Sequence, residues 1–324
     1  MTDDNGTFEH AKLALPRRSH GYCADDVARV LLVAAKEPTP SAEVALLARR
    51  SLEFLSEAMS QRGGVTNRRD ASGRWRGPPC VEDCWGRTLW ALGAAVRTGD
   101  DWLAPRAIDL FECGATRRSS WLRATAFSVL GAADVLGVLP ENAAARGLLG
   151  NSLHMFRRGS PTKDWPWPEP RLSYANAAIP DALMAAGEAL DKPELIERGI
   201  SLLEWLLERE IHQGHLSVTP VGGAGPGDPS GRFDQQPIEV AAMAAASTRA
   251  FELSADRRWA DAVQLCLGWF EGDNDAGTPM WDRTTGGGYD GLHAHGPNLN
   301  EGAESTLALI ATRQCALSLL PNAA

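Results

Sequence analysis

Glu82-Asp83-Cys84-Trp85-Gly86-Arg87-Thr88-Leu89-Trp90-Ala91-Leu92-Gly93-Ala94-Ala95-Val96-Arg97 (residues 82–97) has a polar start and then a body of small and apolar side chains with no polar stripe. A helix of that kind has no face to give to water, so it must be buried on all sides. The same apolar body returns in Ala182-Leu183-Met184-Ala185-Ala186 and in Ala241-Ala242-Met243-Ala244-Ala245-Ala246. Between these segments lie amphipathic stretches with charged faces, marked by Arg49-Arg50, by Glu194 to Arg198 and by Arg257-Arg258. Buried and amphipathic helices therefore alternate along the chain.

Hydrophobic periodicity predicts eleven helices, at about 24–36, 41–60, 82–97, 101–116, 120–136, 140–157, 173–190, 192–210, 236–254, 256–271 and 301–319, with almost no strand signal. Asp164-Trp165-Pro166-Trp167-Pro168 is not helical. Long Gly-rich loops cover 211–234 and 272–299. Six odd-numbered inner helices and their even-numbered outer partners predict an all-α protein, an (α/α)6 toroid of helical hairpins whose last outer helix is absent. A length of 324 residues suggests two domains at about 150 residues each. No polar linker separates two cores, so the expectation is a single barrel domain over 1–324, with its core at about 20–319.

A net charge of −9 argues against nucleic acid as a partner. No apolar run approaches the length of a membrane span, about 18 residues. Met1 to Leu15 lacks a basic segment followed by an apolar one, which predicts no signal peptide. Six cysteines are too sparse for a disulfide scaffold, so a reduced, cytoplasmic protein is expected. The 11 Trp exceed the 8 Phe and 3 Tyr, an excess that needs a reason because a buried indole N–H needs an acceptor.

Polar residues gather where the inner helices begin. His20, Tyr22, Cys23, Asp25, Asp26 and Arg29 stand at the first, and Glu82, Asp83, Trp85 and Arg87 at the second. Trp121 and Arg123 stand at the third, and Trp165, Trp167, Glu169, Tyr174 and Asn176 at the fourth. Asp234, Gln236 and Glu239 stand at the fifth, and Asp290, Asn298, Asn300, Glu301 and Glu304 at the sixth. In a ring of parallel inner helices these starts share one mouth. Indole faces stack on sugar rings while acids, amides and arginines take the hydroxyls, so a carbohydrate site is expected there. Of the tryptophans, Trp75, Trp85, Trp121, Trp165, Trp167 and Trp281 are the expected platforms, and Trp90, Trp205, Trp259 and Trp269 are expected to pack within or against the core.

A plainer account also exists. Acids in a first turn favour the positive end of the helix dipole. Asp25 with Arg29, and Asp83 with Arg87, stand at i,i+4 and can simply pair. Recurrence at successive inner helices tips the balance toward function. Cys80 and Cys84 with Cys23 and His20 are too loosely spaced for a metal site, and no metal or cofactor is expected. His293 and His295 read as loop histidines. Gly286-Gly287-Gly288 lacks the Lys-Ser/Thr partner of a phosphate loop, and no Gly-x-Ser-x-Gly elbow is present.

His20 to Arg29, Glu82-Asp83 to Gly86-Arg87, Trp165-Pro166-Trp167-Pro168-Glu169, Gln236-Pro237-Ile238-Glu239 and Asn300 to Thr306 together resemble a bacterial family of the six-hairpin glycosidase superfamily. Its members are often encoded beside, or fused to, glycosyltransferases. The resemblance covers about residues 20–315. It implies an (α/α)6 barrel with a carbohydrate-active pocket, and a glycosyltransferase as possible partner. Three positions depart from the family: Ala175 where an acid is expected, Val27 where an amide is expected, and Glu301 at a Gln position.

The leading expectation is a glycoside hydrolase-like enzyme acting on a small oligosaccharide or glycoconjugate, which needs two carboxyl groups about the scissile bond. Asp83 or Glu82 is the expected acid, and Asp290, Glu239 or Glu304 the expected base, with Asp25 assisting. Two alternatives stand beside it. One is a sugar epimerase or isomerase using His20, His293 or His295, and the other a non-catalytic sugar-binding module serving a glycosyltransferase. A terpenoid-cyclase-like or lanthionine-cyclase-like toroid lacks matching Asp-rich or Cys/His patterns.

Overall fold

A computed structural model describes residues 1–157, 162–228 and 232–320 of the chain. Residues 229–231 of the expected Gly-rich loop lie outside the described residues. The described residues contain eleven α-helices, each where periodicity places one. They are α1 (Ala24–Ala35), α2 (Ala42–Ala58), α3 (Asp83–Arg97), α4 (Leu103–Gly114), α5 (Leu122–Val138), α6 (Ala143–Ser152), α7 (Ala178–Ala189), α8 (Pro193–Glu210), α9 (Pro237–Ser254), α10 (Arg257–Glu271) and α11 (Ala303–Ser318). None of the described helices is long and apolar enough to cross a membrane.

Sequence reading found almost no strand; the loops in fact hold several very short antiparallel ladders. Tyr22–Cys23, Arg68–Arg69 and Trp75–Arg76 form a three-stranded one, and Ile211–His212 pairs with His215–Leu216. Gly291–His293 pairs with Gly296–Asn298. Segments of two or three residues are too short to show a period-2 pattern.

The odd helices are buried as their composition requires. α5 buries every residue from Leu122 to Ala132, and α3 buries Cys84 to Leu89 and Ala91 to Val96. By contrast, α8 buries a single stripe, Leu195, Gly199, Leu202, Leu203 and Leu206, the i, i+3, i+4 spacing of a helix with one wet face.

The chain divides into two compact units. The first comprises Met1–Ala11, Leu15–Phe156 and Ala185–Pro193. The second comprises Lys12–Ala14, Arg157–Met184 and Glu194–Ala324. In the first, α1, α3 and α5 lie side by side, and α2, α4 and α6 each pack on the odd helix before them. In the second, α9 lies against α11, and α10 packs on both.

The inner helices of the first unit touch backbone to backbone. A Cβ on Gly93 of α3 would sit 2.2 Å from the Gly131 carbonyl oxygen of α5, and one on Gly131 would sit 2.1 Å from the Leu89 carbonyl oxygen. Overpacking at such a contact costs about 1–3 kcal/mol. Gly93→Ala and Gly131→Ala are each expected to lose at least that much in urea unfolding. Gly150→Ala, where a Cβ meets nothing within 4 Å on α6, should instead gain about 0.5–1 kcal/mol from helix propensity. Equal effects at the three positions would contradict the close contact.

Candidate active site

Loops running from an even helix to the next odd helix, with the first turns of the odd helices, carry the polar residues. In the first unit the centre is Asp25, in the opening turn of α1. Asn67 Nδ2 donates to its Oδ2 at 2.9 Å. Arg87 Nε lies 3.6 Å from its Oδ1, an oxygen that is buried and receives no hydrogen bond. The Arg87 guanidinium rests on the Phe127 ring at 4.0 Å, which fixes its plane. Asp26 is buried and takes Arg29 Nη1 at 2.6 Å, an i,i+3 pair rather than the i,i+4 pair of Asp25 with Arg29 expected from spacing. Burial, followed by the charges of Asp26 and Asp25, pushes the Cys23 thiol well up. Glu82 is exposed and Asp83 half-buried, at the start of α3. Arg123 is buried on α5.

The aromatic residues nominated from sequence part into two groups. Trp85 and Trp167 are each 1% exposed, so neither offers a ring face to a ligand. The Trp85 indole N–H donates to the Gly114 carbonyl at 3.1 Å, which meets its need inside the core. Trp165 is buried, donates to the Glu169 carbonyl at 2.8 Å, and meets the Trp205 ring edge-on. Tyr22 is buried against Phe8 and donates to both Asp3 oxygens, at 3.0 and 2.9 Å. Burial and that hydrogen bond push its phenol up to about 12. Trp121, the N-cap of α5, is 60% exposed, and Tyr174 is 43% exposed. Trp75 and Trp281 are half-buried.

In the second unit Glu239, in the first turn of α9, clasps the segment ahead of α7. Its Oε1 accepts from the Ala175 N–H, and its Oε2 accepts from the Asn176 N–H at 3.1 Å and Asn176 Nδ2 at 3.0 Å. Asn176 Oδ1 in turn accepts from the Ser173 N–H at 2.9 Å. This clasp is why α7 starts at Ala178 rather than near 173, with Ala175 held at φ 44°, in the left-handed region. Both Glu239 oxygens thus face donors of the protein itself. Other nominated residues also serve as ties. Asp290 Oδ1 accepts from the Gly302 N–H at 2.8 Å, and Glu301 Oε2 from Thr285 Oγ1 at 2.7 Å. Asn298 Oδ1 accepts from the Asn300 N–H at 3.3 Å, and Asn300 Oδ1 from the Leu13 N–H at 3.0 Å. Gln236, the N-cap of α9, and Glu304 in the first turn of α11 are half-buried. His20, His293 and His295 are exposed, with His20 edge-on to His10 and His293 Nδ1 3.5 Å from Asp234.

One hydrogen-bonded acid–base group of the described residues was not among the nominated residues. Gln213 and Gly214 both have positive φ, 50° and 86°, and make the two-residue turn that brings His212 opposite His215. Asp275, in the loop after α10, lies 3.2 Å from His215 Nε2 and 3.9 Å from His212 Nδ1 through its Oδ1. Its Oδ2 accepts from Ser217 Oγ at 2.5 Å and Gln235 Nε2 at 2.6 Å. Gln235 is itself fixed by the Trp269 indole N–H, 2.8 Å from its Oε1. Burial acts to raise the Asp275 carboxyl, but the hydrogen bonds from Ser217, Gln235 and His215 outweigh it and hold it below the usual range. An ionised Asp275 only accepts, so His215 carries its proton on Nε2 and keeps a lone pair on Nδ1. Arg232 Nη2 lies 2.6 Å from His212 Nε2. Arginine only donates, which leaves the His212 proton on Nδ1. The His-Gln-Gly-His spacing about a hairpin turn was the one signal in the sequence for this group.

Among the described residues, two donor sets lie close enough to share a cation, His212 with His215 and Asp275, and Glu9 with Cys23 and Asp26, each with ligand atoms within 4.8 Å. Glu9 and Asp26 are ion-paired with Arg68 and Arg29. His212 holds a proton on the nitrogen a cation would need.

No family model matches the chain, and no curated protein matches it. Solved structures do. A sugar epimerase from a ruminal bacterium superposes with a TM-score of 0.74 at 13% identity, covering 99% of this chain and 94% of that one. The cellobiose 2-epimerase of Bacillus thermoamylovorans superposes with a TM-score of 0.70 at 13% identity, covering 97% and 92%. A glycoside hydrolase family 9 endoglucanase superposes with a TM-score of 0.60 at 13% identity, covering 96% and 74%. The chain therefore shares the all-α (α/α)6 toroid fold of these structures.

Glu210, the last residue of α8, is fully buried beside this region, with Thr219 donating from N–H at 3.0 Å and Oγ1 at 2.6 Å. Burial first, and the Glu239 charge second, push its carboxyl up to about 8 from an ordinary 4.5. The folded state keeps a proton that the unfolded chain releases above about 4.5. Stability therefore falls as pH rises from about 4.5 to about 8 and is flat beyond, at up to about 1.4 kcal/mol per unit. Glu210→Gln keeps the acceptor for Thr219 and should remove that part of the slope in urea unfolding across this range. Parallel slopes in both proteins would contradict it.

Proposed function

We propose that the protein is a sugar epimerase or isomerase acting on the carbonyl form of a small oligosaccharide or glycoconjugate. The His215–Asp275 pair is the observation that carries this reading. Asp275 orients His215 and stabilises its protonated form, as a carboxylate does in a hydrogen-bonded acid–base dyad. His215 Nδ1 removes the proton from the carbon next to the carbonyl, giving an enediolate. A proton returned to the opposite face gives the epimer, and one returned to the neighbouring carbon gives the isomer. The fold shared with a sugar epimerase and a cellobiose 2-epimerase supports the reading.

Sugar binding is assigned to Tyr174, which is exposed, and Gln236, which is half-buried, in the same unit as the His215–Asp275 pair. Hydrolysis is the second reading, favoured by Asp25, whose buried Oδ1 receives no hydrogen bond. Glu239 suits the role of base less well than its sequence position suggested, because both its oxygens hold the 175–176 backbone. The glycosyltransferase partner and the cytoplasmic setting implied earlier remain part of the proposal.

One experiment separates the readings. The protein is incubated in D2O with a panel of reducing monosaccharides and disaccharides, and the sugars are followed by NMR. Deuterium at the carbon beside the carbonyl, with a new epimer or isomer, is the expected result. His215→Ala and Asp275→Asn should then lower kcat by about 10²–10⁴-fold. Release of monosaccharide, lost in Asp25→Asn, would replace this reading with hydrolysis. Sugar binding without turnover would leave a binding module.

A further inference from the structure

Cys80 and Cys84 lie at the entrance to α3, with their sulfurs 3.5 Å apart. Cys80 is half-buried and fixed by its backbone, which pairs with Val65 through two hydrogen bonds of 2.9 Å. Cys84 is buried in the first turn of α3, and its sulfur also faces Val65, 3.7 Å from the carbonyl oxygen. Both thiols are free. A disulfide bond is about 2.05 Å long, so the sulfurs need to close only roughly 1.5 Å, a shift within reach of side-chain rotation. Val81, Glu82 and Asp83 are the residues the bond would enclose.

We propose that Cys80 and Cys84 form a reversible disulfide site that sets the geometry of the α3 start. This inference is independent of the catalytic reading. The oxidant is a low-molecular-weight disulfide of the glutathione class. Cys80, the more accessible sulfur, attacks it as the thiolate. An S–S bond forms to Cys80, one S–S bond of the oxidant breaks, and the first small thiolate leaves. The Cys84 sulfur then gives up its proton and attacks the Cys80 sulfur, and the second small thiolate leaves. Two protein thiols are oxidised, and one small disulfide is reduced to two small thiols that carry away the two protons. Burial and the nearby Asp25 charge hold the Cys84 thiol up, which makes its attack the slow step.

A ring of five residues removes little freedom from the unfolded chain. Such a bond therefore adds little stability and is easily reduced, as befits a switch rather than a staple. What it changes is local. Glu82 is the N-cap of α3 and Asp83 its first residue, so closing the ring re-aims both carboxylates.

The full chain is equilibrated in buffers of reduced and oxidised glutathione, quenched with an alkylating reagent, and read by intact mass and peptide mapping. A Cys80–Cys84 cross-link that dithiothreitol reverses is the expected result, with alkylation of both residues falling at least tenfold in the oxidising buffer. Cys84→Ser should trap a glutathione adduct on Cys80, and Cys80→Ser should leave Cys84 unmodified. Circular dichroism verifies that each variant is folded, with Cys80→Ala and Cys84→Ala as replacements where it is not. Alkylation of both residues at an unchanged rate in the oxidising buffer would overturn the proposal, as would a bond from either residue to another cysteine.

Discussion

Burial of α3 and α5 on nearly every side is the constraint from which the remaining architecture follows. A helix so enclosed has no flank on which a charge can meet water, because an unpaired buried charge costs several kcal/mol. Its polar residues are driven to its ends. On α3 the acids stand at Glu82 and Asp83, and the one buried charge, Arg87, is partnered by Asp25 and a ring face. Small residues fill the rest because neighbouring backbones touch, as Gly93 and Gly131 do. Concentrating polar chemistry at one end of each buried helix is a consequence of core packing before it is a device of function.

The same constraint explains why acids at helix starts are poor guides to catalysis taken singly. Glu239, Asp290 and Glu301 each satisfy loop backbone or a hydroxyl at a helix entrance. These loops have few regular ladders to satisfy their N–H groups, and a carboxylate is a strong acceptor for them. The His215–Asp275 pair is different in kind. Its carboxylate is saturated on one oxygen by Ser217 and Gln235, which leaves the other to orient an imidazole that is still partly exposed. Orientation of a titratable ring by an anchored anion is an arrangement with chemical use.

Helix positions were legible in the sequence because alternation of all-apolar and one-faced segments repeats along the chain. The start of α7 was not, since it is set by a carboxylate more than sixty residues away, which no local pattern encodes. The burial of Tyr22 and Trp85 was hidden for a related reason. Both sit among polar residues, yet their acceptors, Asp3 and the Gly114 carbonyl, come from other segments and let the rings turn inward. The histidine pair carried a readable turn signal at Gln213-Gly214, but Asp275, some sixty residues on, gives that pair its meaning. Short-range chemistry was legible; partners brought together by the fold were not.

The contact between Leu13 and the loop before α11 bears on how the chain is made. Leu13 donates to Asn300 and accepts from the Glu301 N–H at 3.0 Å, across 287 residues of sequence. During synthesis Leu13 leaves the ribosome 287 residues ahead of Asn300 and waits for it. With translation at about 5–20 residues per second, that wait lasts roughly 15–60 seconds. Over this interval Leu13, exposed even in the finished fold, lacks its bonds to Asn300 and Glu301. Closure of this seam therefore waits until every residue between Leu13 and Asn300 has been made.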